Sequence, residues 1–510
     1  MRVTNNMITE NAKRNINANK VLVDKHNTQM TTQKKIAKAS EDPVIAIRAL
    51  RMQTNMSHIE QYLDHNISEV NSWLEVTGTA LSNMISILTD IRTQCNNGST
   101  DTLNEDDRQT ILNSLKALAD QIYTEGNADY AGRTVFTGYR TGSKLTFMEN
   151  EKNTVYSIDQ TFDFKELHDH RYYYGDVTVP ADADTPCTTE ISTSTYSRLR
   201  LAYDKIDGLG DNLLGTGSAT EISYTAGDPP VTTPLNVTVY ENEDDWYAAN
   251  NALEVGDNEV VLIKSTGELI FGNEIAHDLA KQEASINVTY TKTGFSEGEL
   301  RPEYYYDCRK QNEDLEEPVT LMRTDGEGNI KTQLIDFTIS SGITISANTE
   351  AYSVFDSNIG RDVQELIDIV SRSINAHAKV DRIKEMMQRE QFVSDEDQAV
   401  LQTYLDAAKK EMDYADDNLQ KTYSQYITNF DNYMEKVNIA LTNVGSMEKR
   451  LDLTKNRVEN QKMTVEELKS NNEDRDISDI IIDYYAAYNA YTASLTAAAK
   501  VGEQTLLNYI

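Results

Sequence analysis

Apolar side chains recur at alternating steps of three and four residues along two long segments of the chain. The first segment runs from Ile67 to Cys95 and the second from Leu419 to Leu468. This spacing puts the apolar residues on one helix face and is typical of a coiled-coil seam. The predicted seam residues are Ile67, Val70, Leu74, Leu81, Met84, Leu88 and Ile91 in the first segment, and Leu419, Tyr426, Phe430, Val437, Val444, Leu451 and Val458 in the second.

The length and placement of the two seams favour a rod. A helix over residues 419–468 would be about 75 Å long and would need partner helices along its length. A further seam from Leu401 joins it through two steps of four at 415, 419 and 423, which predict a stutter that locally unwinds the supercoil. Because the seams lie at opposite ends of the chain, we expect them to pair as an antiparallel rod. An ordinary helical-bundle core is the alternative that the seams alone leave open.

The two extreme ends carry weaker apolar patterns in a polar background. Short, weakly apolar helices are marginal in water by themselves, so residues 1–43 and 473–510 are expected to be disordered in a free monomer and to order when packed against copies or partners. Such ends are typical of a polymerising subunit. The predicted contact residues of these assembly helices are Ile16, Val23 and Met30 near the start, and Ile481, Tyr484, Tyr488, Tyr491 and Leu495 near the end.

The middle of the chain, residues 145–358, follows a different pattern. It contains seven of the eight prolines and fourteen of the 23 glycines, which disfavour helices. Leu235, Val237 and Val239 alternate with polar residues, and segments 260–272 and 335–346 each place strand-forming residues on both sides of a glycine turn. Segment 146–158 is a weaker third hairpin candidate. We expect one or two antiparallel β-rich domains here.

The predicted fold class is therefore α+β. Residues 44–144 and 359–472 form the two halves of the helical rod, and the 145–358 insert lies at its far end. No apolar segment of signal-peptide length opens the sequence, and no stretch is long and apolar enough to predict a membrane span. The chain is expected to be cytosolic or exported by a route that reads an uncleaved sequence.

Charge separates the same regions. The formal net charge of the 510 residues is −34, and residues 145–358 contribute −25 of it, with 14 basic and 39 acidic side chains. This acidity argues against nucleic acid and against anionic membranes as partners, because both repel a negative surface. Three widely separated cysteines, Cys95, Cys187 and Cys308, exclude a disulfide framework and show no metal-ligand spacing.

The sequence contains no nucleophile elbow, phosphate loop, dinucleotide fingerprint or zinc motif, so we expect no cofactor and no enzymatic activity. His168 and His170 flank Asp169, but without companion ligands a solvated turn is a better interpretation than a metal site. Ser394 is expected to cap a helix whose first turn carries three acids. The clusters Tyr172–Tyr174 and Tyr304–Tyr306 could be binding platforms, although paired strand surface is more common.

Several segments at the ends resemble the flagellin superfamily and, more closely, its hook-filament junction members. The N-terminal segments are MRVTNNMI from Met1, QMTTQKKI from Gln29 and SEDP from Ser40, and NADYAGRTVFTGY from Asn127 is the most discriminating. Segments from Val444 and from Asp479 resemble the flagellin C-terminal region. Gln33 stands where the family usually has glycine, so we expect that turn to be helical here.

The resemblance implies a structural role and a set of partners. Subunits would form a ring or helical layer, with the first hook-filament junction protein on the hook side and flagellin on the filament side. It also implies type III export without a cleaved signal peptide, an export chaperone in the cytosol that holds the C-terminal region, and an extracellular location in the flagellum. Flagellin itself, or a secreted adhesin that uses the insert, are the alternatives.

Overall fold

The computed structural model describes residues 5–100, 104–214, 221–227, 229–250, 253–312, 315–325 and 329–503. The described α-helices are α1 (Asn5–Thr32), α2 (Pro43–Glu60), α3 (Ser68–Gly98), α4 (Glu105–Ala119), α5 (Glu243–Asn250), α6 (Asn273–Lys281), α7 (Asn358–Met387), α8 (Asp395–Glu473) and α9 (Ile477–Glu503). The described strands are β1 (Asp129–Tyr130), β2 (Arg133–Thr134), β3 (Glu151–Asp163), β4 (His168–Tyr174), β5 (Ser192–Arg200), β6 (Gly208–Leu209), β7 (Glu221–Ala226), β8 (Val231–Tyr240), β9 (Val260–Ile263), β10 (Glu268–Phe271), β11 (Ser285–Phe295), β12 (Asp307–Gln311), β13 (Val319–Leu321), β14 (Asp336–Ser340) and β15 (Ile343–Ser346).

The chain is α+β and divides into two compact units. The first unit comprises Met1–Asn71, Phe337–Ile345 and Glu448–Ile510, and the second comprises Ser72–Asp336 and Ser346–Met447. This division groups the residues differently from the five predicted segments, which stay a prediction. No described helix is both long enough and apolar enough to cross a membrane.

Helices from the two ends of the chain contact each other within the second unit. A Cβ at Gly78 would lie 3.6 Å from Val444, Arg92 pairs with Asp431 at 2.6 Å, and Gly98 lies against the Tyr423 ring. Residues later in α3 therefore contact residues earlier in α8.

The first unit shows the same order of contacts. Glu60 lies 3.9 Å from Lys462, Gln53 accepts a hydrogen bond from Lys469, and Asn472 donates to the carbonyl of Ile45 at 3.1 Å. Between α2 and α3 the chain forms a seven-residue π-helix, Gln61–Ile67.

Residues at the helix starts explain where two of these helices begin. Asp42 caps α2 by accepting hydrogen bonds from the backbone N–H groups of Val44 and Ile45, and Pro43 occupies the first helical position, where no N–H is needed. Ser394 accepts a hydrogen bond from the N–H of Asp397 at 3.1 Å. Three acids then follow in the first turn of α8, as the sequence predicted.

The insert forms one large mixed sheet in the order β13-β12-β3-β11-β7-β8-β9-β10-β5-β4, with β6 paired to β11. The prediction of a purely antiparallel insert is wrong, because β8 and β9 pair in parallel and α5 lies in the connection between them. In β9 all four residues are buried: Leu262 belongs to one hydrophobic cluster, and Val261 and Ile263 pack with Trp246 of α5 in another. A strand covered on both faces has no polar alternation, which explains its unbroken apolar run.

Two of the three hairpin predictions are confirmed. Strands β9 and β10 pair around the turn that contains Gly267, and β14 and β15 pair around Gly342. The prediction for 146–158 is wrong: β3 is a single strand that pairs with β11 and β12 from distant parts of the chain.

Candidate assembly surface

The terminal helices α1 and α9 lie side by side in the first compact unit. Asn19 donates a hydrogen bond to the carbonyl of Ala490 at 3.3 Å, and the N–H of Arg475 donates to the carbonyl of Gln33 at 3.0 Å. The two helices therefore run antiparallel. The three N-terminal residues predicted at heptad spacing, Ile16, Val23 and Met30, are half-buried.

The turn after α1 is joined to the turn before α9. Lys34 pairs with Glu473 at 3.1 Å and with Asp474 at 2.5 Å, and the N–H of Lys35 donates to the carbonyl of Glu473 at 2.7 Å. The hydrogen bond to Asp474 raises the pKa of the Lys34 ammonium, against the opposing effect of burial. These contacts hold the two terminal helices at a common point.

Gln33 gives this turn its geometry. Its φ is +56°, and its N–H donates to the carbonyl of Gln29 at 2.7 Å, which ends α1 in a left-handed residue. The expectation that this turn is helical is therefore wrong. Glycine adopts a positive φ without steric cost, whereas a residue with a Cβ is strained there. The backbone at Gln33 is therefore more strained than it would be with glycine.

The predicted contact residues of α9 are divided between a covered face and an exposed one. Ile480 and Ala487 are buried, and Tyr484 and Tyr491 are half-buried, which marks the face that the fold covers. The remaining predicted contact residues are exposed: Ile481 by 39%, Tyr488 by 48% and Leu495 by 42%. Helix α9 is apolar on more than one face, so its periodicity alone did not show which face the chain itself covers.

The two terminal helices leave a large apolar surface uncovered, which we call the terminal apolar surface. Single exposed apolar residues are ordinary, but a concentration of them on two neighbouring helices is typical of an interaction site. Sequence analysis missed most residues of this surface. The consecutive isoleucines and tyrosines in α9 were the available signal, because consecutive residues of a helix cannot all lie on one face. The surface comprises Met7, Ile8, Val21 and Leu22 of α1 with Ile481, Ile482, Tyr485, Tyr488 and Leu495 of α9.

The predicted seam residues of the π-helix, α3 and α8 are all buried. Those in the first unit are Ile67, Val70, Leu451 and Val458, and those in the second are Leu74, Leu81, Met84, Leu88, Ile91, Leu419, Tyr426, Phe430, Val437 and Val444. Burial along α8 ends sooner than the apolar pattern does, because Leu468 is 50% exposed.

The histidines and the cysteine that could have bound a metal ion or acted as a nucleophile have structural positions. His168 and His170 lie on β4 and not in a turn, since residues 168–174 pair with β5. Burial and the neighbouring Arg198 lower the pKa of His170 to about 4, which favours a neutral ring. The described residues contain no group of three or more His, Cys, Asp or Glu placed to hold a metal ion. Burial raises the pKa of the Cys95 thiol to about 12, so Cys95 is a poor nucleophile.

The two tyrosine clusters differ in structure. Tyr172–Tyr174 lie on β4 and form the paired strand surface that the sequence predicted. Tyr304 ends a short 3₁₀ turn and Tyr305 follows it, before β12 begins at Asp307, so the strand interpretation of Tyr304–Tyr306 is wrong.

The N-terminal part of the chain is similar in sequence to known flagellar proteins. Residues 3–141 match the family described as the bacterial flagellin N-terminal helical region. Flagellar hook-associated protein 3 of Escherichia coli K12 is 27% identical over 143 residues, which cover 28% of this chain and 44% of that protein. The protein of the same name from Salmonella typhimurium LT2 matches to the same extent. The chain thus spans less than half the length of the curated relatives it matches.

A solved structure of flagellar hook-associated protein 3 from Legionella pneumophila matches 82% of this chain and 96% of its own, with 10% identity and a TM-score of 0.29. A TM-score this low supports no argument about the fold or the function. The resemblance to the flagellin superfamily is nevertheless supported by sequence: residues 3–141 match the bacterial flagellin N-terminal helical region, and two curated proteins similar to this chain are flagellar hook-associated proteins 3.

Proposed function

We propose that the chain is a structural subunit of the bacterial flagellum that forms the junction between hook and filament and acts as a template for flagellin polymerisation. The terminal apolar surface carries this proposal. It belongs to helices at both chain ends, and its N-terminal helix lies within the region that matches the flagellin family. Burying such a surface against copies of the same chain would stabilise a ring or helical layer, at roughly 25 cal/mol for each Å² of apolar area.

The long helices would form the wall of that layer. The order of contacts between α3 and α8 and the burial of their seam residues support an antiparallel coiled-coil rod. The acidic insert would face outward, where like charge keeps neighbouring filaments apart. In this role the chain would act as a structural subunit and not as an enzyme.

The proposed partners follow from this role. They are further copies of the chain, the first hook-filament junction protein on the hook side and flagellin on the filament side. We also propose export through the flagellar type III apparatus without a cleaved signal peptide, with a chaperone in the cytosol that holds the C-terminal region until export. Disorder of residues 1–43 and 473–510 in the free subunit would suit both export and later assembly.

Gene deletion separates this function from its rival, flagellin. Cells that lack a junction protein should carry hooks and release unpolymerised flagellin into the medium, whereas cells that lack flagellin should release none. Electron microscopy of the hooks and an immunoblot of the medium measure both. Filaments that form normally without this chain would refute the junction role.

Complementation with point variants tests the terminal apolar surface itself. Ile482→Asp puts a charge on a side chain that is 66% exposed, so the subunit should fold yet fail to restore filaments. Val231→Asp is the matched control, because Val231 is 61% exposed on the insert. Equal complementation by the two variants would exclude this surface from assembly. Removal of residues 1–40 and 478–510 should likewise leave a soluble, folded monomer that does not assemble.

A further inference from the structure

Lys292 is the only buried lysine in the part of the chain that the structure describes. It is 3% exposed and lies on β11, a central strand with β3 on one side and β6 and β7 on the other. Lysine is rarely buried, because its ammonium group then loses its hydration and needs a partner. The groups around Lys292 therefore show what its amine is used for.

The amine of Lys292 lies close to two carboxylates but is paired tightly with neither. Nζ is 3.5 Å from Oδ1 of Asp204 and 3.5 Å from Oε1 of Glu299. A charge-assisted hydrogen bond from an ammonium to a carboxylate is shorter, about 2.7–2.9 Å. The short contact of Nζ, 2.7 Å, is with the neutral backbone carbonyl of Asp204. This hydrogen bond fixes the amine beside the carboxyl group of the same residue.

The residues on both sides of Asp204 hold it in place. Tyr203 is buried, and its hydroxyl donates to the carbonyl of Leu300 at 2.9 Å. Lys205 has a φ of +48°, and its N–H donates to the carbonyl of Ser265 at 3.2 Å. A residue with a Cβ is strained at such a φ, and the strain persists only where the surroundings fix the backbone. The Asp204 carboxyl therefore has a defined position beside β11.

Two neighbouring groups suit a reaction between this amine and this carboxyl. Glu299 lies within reach of Nζ and can take a proton from the amine and return it to a leaving oxygen. Burial raises the pKa of Glu299, with Asp204 acting in the same direction and Lys292 against it, so Glu299 takes up a proton more readily than an exposed glutamate does. Nη1 of Arg361 lies 3.6 Å from Oδ2 of Asp204 and can stabilise negative charge that develops there.

We propose that Lys292 and Asp204 become joined by an isopeptide bond once the insert has folded. The lone pair of Nζ attacks Cγ of Asp204, the new C–N bond forms, and one C–O bond of the carboxyl group breaks. The ammonium supplies two hydrogens and the carboxylate one oxygen, which leave as water, so the step needs no oxidant and no co-reactant. Glu299 carries protons from Nζ to the leaving oxygen. Holding the two groups in contact makes this condensation intramolecular, which favours it over the same reaction between separate molecules.

The bond would give the insert a covalent cross-link that its cysteines do not provide, since all three cysteines are free. It would close the segment that contains β6 to β10, α5 and α6 into a loop. Closing a long loop stabilises a fold by restricting the unfolded chain. Because Lys292 and Asp204 meet only in the folded insert, the bond would form after folding and would not hinder export of an unfolded chain. The cross-link does not depend on the proposed junction role.

The intact mass of the full-length protein tests the proposal. The wild type should be lighter than its amino-acid sequence requires by the mass of one water molecule. Lys292→Arg, which keeps the charge but not the amine, and Glu299→Gln should both have the full mass. Asp204→Asn should lose ammonia in place of water, because its carboxamide releases nitrogen when Nζ attacks. The matched control is Lys264→Arg, which changes a lysine paired with the exposed Glu241 at 2.5 Å and should lose one water as the wild type does.

Tandem mass spectrometry of tryptic peptides locates the bond. Trypsin should not cleave after Lys292, and one branched peptide should contain both Lys292 and Asp204. The proposal is overturned if the folded wild type has its full mass, a result that requires no variant to fold. It is also overturned if Lys292→Arg with wild-type circular dichroism still loses water, or if the loss maps to Asp207, which precedes Gly208 and can lose water as a succinimide.

Discussion

Glu365 of α7 holds the insert to the helices through a buried ion network. Its carboxylate accepts hydrogen bonds from Arg198 at 3.0 Å and from Arg200 at 2.6 Å, both on β5, and lies 3.7 Å from the His170 ring on β4. Burial alone would raise the pKa of Glu365, but Arg198 and Arg200 outweigh it and hold the pKa well below its usual range. The carboxylate is therefore ionised at neutral pH.

Replacing Glu365 should cost far more than replacing an exposed acid on the same helix. Glu365→Gln keeps the side-chain volume but removes the charge, which leaves Arg198 and Arg200 with only Glu268 and Asp362. Breaking a buried pair costs about 3–5 kcal/mol, because the remaining charge stays buried. The control is Asp381→Asn, whose partner Lys384 lies 2.9 Å away on a surface where both side chains are more than half exposed. Such a pair contributes about 0–1 kcal/mol.

Urea denaturation followed by tryptophan fluorescence measures both variants. The chain has two tryptophans, Trp73 and Trp246, and both are buried in the second unit, so their emission reports on the unit that holds the network. The free energy of unfolding of Glu365→Gln should fall by several times the loss in Asp381→Asn, at unchanged m-value. Equal losses in the two variants would refute the reasoning, because they would mean that solvent compensates the arginine charges.

Three further predictions follow. Burial and Arg198 lower the pKa of His170 from 6.5 to about 4, against the opposing charges of Glu365 and Glu268, so His170 should contribute a rise in stability of about 3 kcal/mol as pH increases from 4 to 6.5. In His170→Asn, denaturation midpoints measured against pH should lose this rise, and an unchanged profile would contradict the assignment. Gly98→Ala should destabilise by about 1–3 kcal/mol because its Cβ would collide with the Tyr423 ring, whereas Gly78→Ala, with 3.6 Å to Val444, should be neutral or stabilising in a thermal melt. Gln33→Gly should slow hydrogen exchange near the end of α1 by relieving a strain of about 1 kcal/mol, and Gln33→Ala, which keeps the positive φ, should show no such gain.

The sequence predicted best what depends on local periodicity. The 3/4 spacing put fourteen residues, among them Leu74 and Val444, on apolar helix faces, and all fourteen are buried. Alternating residues around Gly267 and Gly342 identified two hairpins, because a turn and its flanking strands are set within about a dozen residues. The cap at Ser394 is equally local.

Features that join distant segments escaped sequence analysis. The network around Glu365 joins β4, β5, β10 and α7, and nothing in the spacing of Arg198 and Arg200 shows that they are buried. Likewise the parallel pair β8 and β9 depends on a crossover through α5, which alternation within either strand does not reveal.

The sequence by itself determined which residues share a helix or strand face, since 3.6- and two-residue periods fix side-chain directions relative to their own element. It also determined the acidity of the insert, because net charge depends only on composition. Only the tertiary structure decided which of several apolar faces is covered. On α9, Ile480 and Ala487 are buried, and Ile481 and Tyr488 are exposed. The covered face depends on where α1 packs, and the sequence of α9 alone does not specify the position of α1.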